Sequence, residues 1–229
     1  MALILSLETA TSVCSAALHD DGKLLASSEY HVPQSTASML AVLIDEIFKK
    51  TSIEPSQLNA VAVSAGPGSY TGLRIGVATA KGFCYALNIP LIAINTLQLL
   101  VHQVASQHLL SDNALLCPML DARRMEVYTL LSGADLKIIE STEAKVIDEL
   151  SYQSWLEKNK ILFFGNGSDK CKEMIQHENA VFIPDIIPSA AKLGEMAVHK
   201  FNSSQFEDLA TYEPYYLKDF MVKKPKSIV

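Results

Sequence analysis

The chain has 229 residues, of which 49% are hydrophobic and 19% are charged. This composition excludes a disordered chain, and the length is sufficient for one large domain or two small ones. The net charge of −6 argues against tight nucleic-acid binding by the chain alone, because no overall positive field attracts phosphates. Contact with RNA would therefore require a partner or a local positive patch.

Neither a membrane span nor a secretion signal is predicted. No apolar run approaches the ~18 residues that a membrane helix requires. The opening MALILSLETATS has no basic residue before its apolar run and reaches Glu8 early, unlike a signal peptide. The four cysteines, Cys14, Cys84, Cys117 and Cys171, are far apart and have apolar neighbours. We therefore expect reduced core thiols and a cytoplasmic location.

The first half of the chain is predicted to form three strands and then alternating helices and strands. Apolar runs place strands at 2–7, 12–19, 23–30, 59–66 and 89–94, and helical stripes place helices at 35–50, 72–88 and 96–107. The second and third strands are joined by DDG, in which Gly22 supplies the positive φ of a tight hairpin turn. This order is typical of an α/β domain with a partly parallel sheet.

The second half repeats this pattern less clearly. Strands are predicted at 114–123, 125–132 and 180–184, a strand, glycine loop and helix at 161–175, and a helix at 189–201. GPGS at 66–69 and GNGS at 165–168 each follow a predicted strand. The chain is therefore interpreted as two similar halves with a cleft between them, an N-terminal domain at 1–105 and a C-terminal domain at 106–229.

The segment GPGSYTG at 66–72 is similar to a phosphate-binding loop but matches neither common pattern. It lacks the lysine of a Walker A loop, and Thr71 stands where a dinucleotide fingerprint has its third glycine. Free amides at a helix start can still hold an anion, and an acid at the end of a strand can hold a magnesium–phosphate group. The candidate anion or nucleotide residues are Glu8, Thr9, Gly66, Gly68, Ser69 and Thr71. The alternative is a structural turn in which Ser69 or Thr71 caps the next helix.

The helices predicted at 35–50 and 72–88 have more apolar surface than one sheet face can cover. MLAVLI at 39–44 is apolar on every side, and Gly72, Gly76, Ala80 and Cys84 form a stripe of small residues that would let another helix approach. The candidate partner-binding residues are Met39, Leu40, Leu43, Ile47, Gly72, Ile75, Gly76, Thr79 and Phe83. Burial of these residues inside a single large core is the alternative.

Other catalytic chemistry is disfavoured by the sequence. The six histidines show no i, i+3 or i, i+4 pair and no HExxH, which argues against a metal site, and there is no GxSxG nucleophile motif. SAAK at 189–192 is better explained by a capping serine after Pro188. Asp121 ends a predicted strand beside Arg123 and Arg124, and strand ends of α/β sheets are where sites gather.

Four segments together resemble the TsaB family, also called YeaZ: LSLETATSVCSAAL at the start, GPGSYTGLRIGVATAKG at 66–82, DARRMEVY at 121–128 and YEPYYLK at 212–218. The resemblance spans nearly the whole chain and implies an α/β protein with an actin-like ATPase (ASKHA) fold of two ribonuclease-H-like domains. It further implies a role in forming threonylcarbamoyladenosine beside the anticodon of tRNA. The implied partners are a TsaD-type catalytic subunit bound through N-terminal helices, a TsaE-type ATPase through the complex, and a second copy when alone. No cofactor is implied, and tRNA would be contacted only indirectly.

The resemblance also separates this chain from its catalytic paralogue. TsaD-type proteins bind a metal through an H-x-x-x-H pair at the start of a helix, whereas here Asn95 is followed by Thr96 and, four residues later, Leu100. Neither side chain can supply a metal-binding imidazole, so we expect a non-catalytic subunit rather than an enzyme. The alternative is an actin-like ATPase or sugar-kinase relative with a weak nucleotide site.

Overall fold

Two five-stranded mixed sheets form the framework of the protein, in a computed structural model that describes residues 2–31, 36–107, 110–111 and 113–218. The first sheet contains β1 (Leu3–Glu8), β2 (Cys14–Asp20), β3 (Lys23–Tyr30), β4 (Ala60–Gly66) and β5 (Leu91–Asn95). Its spatial order is β3-β2-β1-β4-β5. The three opening strands are antiparallel, whereas β4 is parallel to both β1 and β5.

The second sheet repeats this arrangement. It contains β6 (Ala114–Asp121), β7 (Glu126–Gly133), β8 (Ile138–Val146), β9 (Lys160–Phe164) and β10 (Ala180–Ile183). Its spatial order is β10-β9-β6-β7-β8, with β6, β7 and β8 antiparallel and β9 parallel to β6 and β10.

Five α-helices accompany the sheets within the described part of the chain. They are α1 (Thr36–Thr51), α2 (Tyr70–Leu87), α3 (Thr96–Gln107), α4 (Gln153–Leu156) and α5 (Ala190–Asn202), with short 3₁₀ turns at Pro55–Gln57 and Asp169–Cys171. No helix among the described residues is long and apolar enough to cross a membrane.

Each predicted element of the first half is present, with ends within two residues of the prediction where those ends are described. The predicted start of the first helix, residue 35, lies outside the described residues. The hairpin turn after β2 is confirmed, since Asp21 and Gly22 have φ values of 47° and 82°. Ser69 is confirmed as the cap of α2, because its side chain accepts a hydrogen bond from the Gly72 amide.

The second half departs from the prediction in two places. The predicted helix within 161–175 is wrong, because only the short 3₁₀ turn at Asp169–Cys171 follows β9. Among the apolar side chains of residues 165–175 only Cys171 and Ile175 are buried, too few apolar contacts to stabilise a longer helix. Strand β8 and helix α4 were not predicted. Since β8 is an edge strand with alternating exposed positions, it has no buried apolar run.

Helix α3 connects the two sheets, and α5 packs on the first sheet and on α3. Helices α1 and α2 cover one face of the first sheet. The opposite face is covered by α5, whose Leu193 and Ala197 pack against β1, β4 and β5. Helix α3 packs Leu97 and Leu100 against the second sheet and Leu99 against the first. A domain boundary at residue 105 therefore separates the strands of the two sheets. It does not separate the two hydrophobic cores, because α3 contributes residues to both.

The packing of α5 on the first sheet can be tested by measuring protein stability. His19 of β2 is buried beneath α5, where its Nε2 lies 2.9 Å from the Ala191 carbonyl oxygen and burial lowers its pKa. A Cβ at Gly194 would overlap the imidazole ring. We expect Gly194→Ala to lower the free energy of unfolding by about 2 kcal/mol in urea denaturation, although alanine favours helix. The matched control is Gly82→Ala on α2, where a Cβ meets no atom within 4 Å; equal effects of both variants would contradict this packing.

Candidate functional site

The glycine loop between β4 and α2 is folded down onto the turn that follows β1. The Ser69 amide donates to the Ala10 carbonyl oxygen at 2.7 Å, and the Ser69 hydroxyl accepts from the Gly72 amide at 3.2 Å. A Cβ at Gly68 would overlap Ala10, so glycine is required there for close approach of two backbones. Gly66 has a φ of 103°, which also favours glycine. The loop glycines therefore serve backbone packing.

Glu8 lies at the end of β1 and is completely buried. Its carboxylate accepts hydrogen bonds from the Ser64 hydroxyl and, at 2.6 Å, from the Ala10 amide. Burial raises the pKa of Glu8 from its ordinary 4.5 to about 7, even though these hydrogen bonds favour the charged form. The adjacent Thr9 is also buried, and its hydroxyl has no hydrogen-bond partner among the described residues. Neither side chain reaches solvent.

The six candidate anion residues are thus only partly brought together. Glu8, Thr9 and Gly68 lie around the turn after β1, and Ser69 is used as the helix cap. The side chain of Thr71, by contrast, is exposed on the outer side of α2. These residues do not surround one open space, and the nucleotide site stays a prediction that this geometry does not favour.

The leucines and isoleucine proposed for partner binding lie in the core. Leu40, Leu43 and Ile47 are 1%, 3% and 0% exposed and pack against the first sheet. A partner cannot touch them while α1 remains in place, so this part of the predicted surface must be corrected. Since MLAVLI at 39–44 is apolar on every side, these six residues by themselves do not reveal which side of α1 faces the sheet.

The predicted stripe of small residues on α2 also faces inward. Gly72, Gly76, Ala80 and Cys84 are all buried. A Cβ at Gly72 would overlap the carbonyl oxygen of Thr9, and one at Gly76 would overlap the Thr9 hydroxyl. These glycines therefore allow α2 to approach the first sheet rather than a partner.

The two helices also have exposed residues. We call the small, apolar and aromatic ones, Ala41, Val42, Ala78, Gly82, Tyr85 and Ala86, the outer helix face; Asp45 and Lys49 of α1 and Thr71 and Arg74 of α2 are exposed too. Val42 is 44% exposed and Tyr85 is 84% exposed. Met39, Ile75, Thr79 and Phe83, which were predicted for the interface, are half-buried. The i, i+4 spacing of Ala78, Gly82 and Ala86 could have been found in the sequence, but nothing there distinguishes it from the inward stripe.

The second glycine loop mirrors the first. The Gly167 amide donates to the Met119 carbonyl oxygen at 2.9 Å, and the Asn166 side chain accepts from the Asp121 amide at 3.1 Å. Lys170 contacts the Asp121 carboxylate and donates to the Arg124 and Glu126 carbonyl oxygens at 2.6 and 2.7 Å. The loop thereby holds the turn between β6 and β7, which carries Arg123.

The C-terminal segment crosses the edge of the first sheet. The Glu207 amide donates to Leu91 O, and the Tyr215 amide donates to Ala65 O at 2.7 Å. Lys81 of α2 donates to the Tyr212 carbonyl oxygen at 3.1 Å. An open groove of about 530 Å³ lies beside this segment, and its lining includes none of the predicted site residues.

Residues with metal or thiolate chemistry are not assembled into a site within the described ranges. No group of three or more His, Cys, Asp or Glu residues there could hold a metal ion, and Thr96 and Leu100 are buried at the start of α3. Burial raises the pKa of Cys14, Cys84 and Cys171 to about 11 and that of Cys117 to about 12. Such thiols stay protonated near neutral pH and are poor nucleophiles.

Two mixed sheets with the same strand order, each with a glycine loop after a parallel strand, define the class of this protein. It has the α/β fold of the actin-like ATPases. The same fold is seen in the activator of 2-hydroxyisocaproyl-CoA dehydratase from Clostridium difficile, solved with bound ADPNP, at a TM-score of 0.51 and 9% identity over 89% of this chain and 96% of that one.

Closer similarities narrow the class to one family. The family model described as TsaD, tRNA N6-adenosine threonylcarbamoyltransferase, matches residues 32–226. The tRNA threonylcarbamoyladenosine biosynthesis protein TsaB of Buchnera aphidicola is 30% identical over 80% of this chain and 82% of its own length. YeaZ from Pseudomonas aeruginosa superposes with a TM-score of 0.81 at 22% identity, over 95% of this chain and all of that one. The chain belongs to the TsaB (YeaZ) family, the branch of these TsaD-related proteins that the sequence resemblance predicted.

Proposed function

We propose that this chain is the non-catalytic subunit of the system that forms threonylcarbamoyladenosine in tRNA, and that it binds a TsaD-type catalytic subunit through the outer helix face. The name of the Buchnera relative, a tRNA threonylcarbamoyladenosine biosynthesis protein, supports the reaction. The exposed surface of α1 and α2 supports the mode of binding. On this proposal a TsaE-type ATPase joins through the catalytic subunit.

The outer helix face is the single observation that carries this proposal. On α2, Ala78, Gly82 and Ala86 recur at i, i+4 spacing and are all exposed, so a partner helix can approach the backbone closely. Val42 on α1 and Tyr85 on α2 add apolar and aromatic contact area, and tyrosine is enriched among residues that dominate binding energy. Helices α1 and α2 pack against each other, and the ring centroids of Phe48 and Phe83 are 6.4 Å apart.

A non-catalytic role is supported by the chemistry of the side chains themselves. Thr96 and Leu100 cannot ligate a metal, and the four thiols have raised pKa values. The Glu8 carboxyl is sealed beneath the loop, so it cannot activate a water molecule in solvent. The contribution of this chain would then be to hold the catalytic subunit in a productive conformation. The same face would pair two copies of this chain when no partner is present.

A matched pair of substitutions tests the outer helix face. Val42→Glu places a carboxylate on this face, whereas Val146→Glu makes the same change on β8, where the valine is 67% exposed. We expect Val42→Glu to weaken binding to the TsaD-type subunit roughly tenfold or more, because the charge is desolvated without a partner. Val146→Glu should bind as the wild type does, and both variants should keep the wild-type circular dichroism spectrum and melting temperature. Isothermal calorimetry measures the affinities.

The same two variants test the reaction in cells. After deletion of the gene, mass analysis of tRNA nucleosides should show loss of threonylcarbamoyladenosine. The wild type and Val146→Glu should restore it, and Val42→Glu should not. Equal restoration by both variants would contradict the outer helix face as the binding surface. Persistence of the nucleoside in the deletion strain would contradict the proposed function itself.

A further inference from the structure

Two of the three arginines of this acidic chain, Arg74 and Arg123, lie near tyrosines that line one small cavity. The Arg74 guanidinium lies 5.1 Å from the centroid of the Tyr70 ring, which stacks at 4.9 Å on Tyr216. Tyr70 and Tyr216 line the cavity together with Tyr128 of β7. Burial raises the pKa of Tyr128, and the nearby charge of Arg123 acts in the opposite direction. Arg124 follows Arg123 directly on the turn between β6 and β7.

The turn that carries Arg123 and Arg124 is strained and firmly held. The two residues have φ values of 70° and 50°, a region that L side chains rarely adopt, here at consecutive positions. The backbone is fixed by hydrogen bonds from the Arg123 amide to the Asp121 carboxylate at 3.2 Å and from Lys170 to the Arg124 carbonyl oxygen. Strained residues of this kind persist where surrounding contacts hold them, and they cluster at functional positions.

Within the described part of the chain, the guanidinium groups of Arg123 and Arg124 have no acidic partner. Each neighbouring carboxylate is already paired with a lysine, Asp121 with Lys170 and Glu126 with Lys218. Both arginine side chains are exposed, and among the residues that the structure describes none forms an ion pair or hydrogen bond with either guanidinium. Local neutralisation of the acids therefore leaves a net positive patch on a chain of net charge −6.

We propose that Arg123 and Arg124, with Arg74 across the cavity, bind the phosphodiester backbone of an RNA strand. Guanidinium groups match phosphate oxygens in a planar, two-pronged geometry, and separate arginines suit successive phosphates. The cavity between them has a volume of about 30 Å³, the space of one water molecule, so a nucleotide base cannot enter it. A ligand of these arginines therefore lies on the surface, which is compatible with an RNA strand.

This inference rests on the proposed function for the identity of the RNA, which would be the tRNA substrate. It adds a direct contact by this subunit to a system in which tRNA is otherwise held by the complex. Arg74 lies one helical turn before Ala78 of the outer helix face, whereas Arg123 and Arg124 lie on the β6–β7 turn. Substitution of Arg123 and Arg124 therefore disrupts the RNA contact and leaves the outer helix face unchanged.

The salt dependence of tRNA binding tests the inference. Binding of an unmodified tRNA transcript to the full chain is measured by fluorescence anisotropy at several salt concentrations, for the wild type, Arg123→Gln/Arg124→Gln and the control Lys23→Gln/Lys137→Gln. The control removes the same charge from exposed positions, since Lys137 is 85% exposed. The arginine variant should bind roughly tenfold or more weakly and reduce the slope of log K against log salt by about two, and the control should match the wild type.

Several results would overturn the inference. One is an equal slope of log K against log salt for the wild type and the arginine variant. Another is an equal loss of tRNA affinity in the lysine control, and a third is no measurable tRNA binding by the wild type at low salt. Competition by micromolar pyrophosphate or ATP would also overturn it, since it would indicate a site for a compact anion. Failure here is distinguishable from failure of the proposed function, because the arginine variant should still bind the TsaD-type subunit, whereas Val42→Glu should lose that partner and keep the wild-type salt slope.

Discussion

Gly72→Ala is expected to destabilise the protein by about 3 kcal/mol, which lowers the melting temperature of a chain of this size by about 10 °C. The added Cβ would overlap the carbonyl oxygen of Thr9. That oxygen belongs to the buried backbone at the end of β1, so it cannot move aside as a flexible side chain could. Helix α2 would have to shift away from the first sheet. Thermal and urea denaturation measure the loss.

Gly82→Ala is the matched control on the same helix. No atom lies within 4 Å of the added Cβ, so the only expected effect is the higher helix propensity of alanine, a gain of about 1 kcal/mol. Opposite signs for the two substitutions would establish which side of α2 faces the sheet. If Gly72→Ala were as stable as the wild type, the inward assignment of the small-residue stripe would be refuted.

Glu8→Gln is expected to stabilise the protein above neutral pH by on the order of 3 kcal/mol. Burial raises the pKa of Glu8 in the folded state from 4.5 to about 7, so the folded protein holds this proton more tightly than the unfolded chain does. The stabilisation by protonated Glu8 is complete below pH 4.5 and is lost as the pH rises through about 7. A glutamine stays neutral, can accept from the Ala10 amide and can donate to the Ser64 hydroxyl.

The pH profile of stability separates Glu8 from the other buried groups. The pKa values of His19 and His102 are lowered by burial, so their contribution to stability is instead lost as the pH falls below 6.5. Both histidines are present in the wild type and in Glu8→Gln, and their effect cancels in the difference between the two proteins. That difference, from urea denaturation at a series of pH values, should be largest above pH 7 and vanish toward pH 4.5. A constant difference would contradict the raised pKa.

Local patterns sufficed for most elements of the first half. The DDG turn after β2, the capping serine of α2 and the apolar run of β4 are each specified by a few neighbouring residues. Strand β8 was missed because it is an edge strand that is stabilised mainly by pairing with β7. A short stretch of sequence does not show which other strand it will pair with. The helix within 161–175 was wrongly predicted because a short local pattern favoured it. In the structure, this segment has no surface on which a longer helix could pack.

Prediction of the candidate binding surface from the sequence has a different limit. Helix α2 carries two stripes of small residues, one at Gly72, Gly76 and Ala80 and one at Ala78, Gly82 and Ala86, and both are visible in the sequence. Only contact with Thr9 and the first sheet decides that the former is buried and the latter exposed. The arginines are likewise evident as residues, but the sequence does not show that Tyr70, beside Arg74, and Tyr128, beside Arg123, line the same cavity.

The order of strands and helices in the first half and the resemblance to the TsaB family were thus determined by the sequence alone. The tertiary structure decided which side of α1 and α2 is free, how α3 packs against both sheets, and that Glu8 is buried. The physical reason is that helical and strand periodicity is a local property of the chain. Burial depends on which distant segments meet, and that is settled only when the whole chain packs.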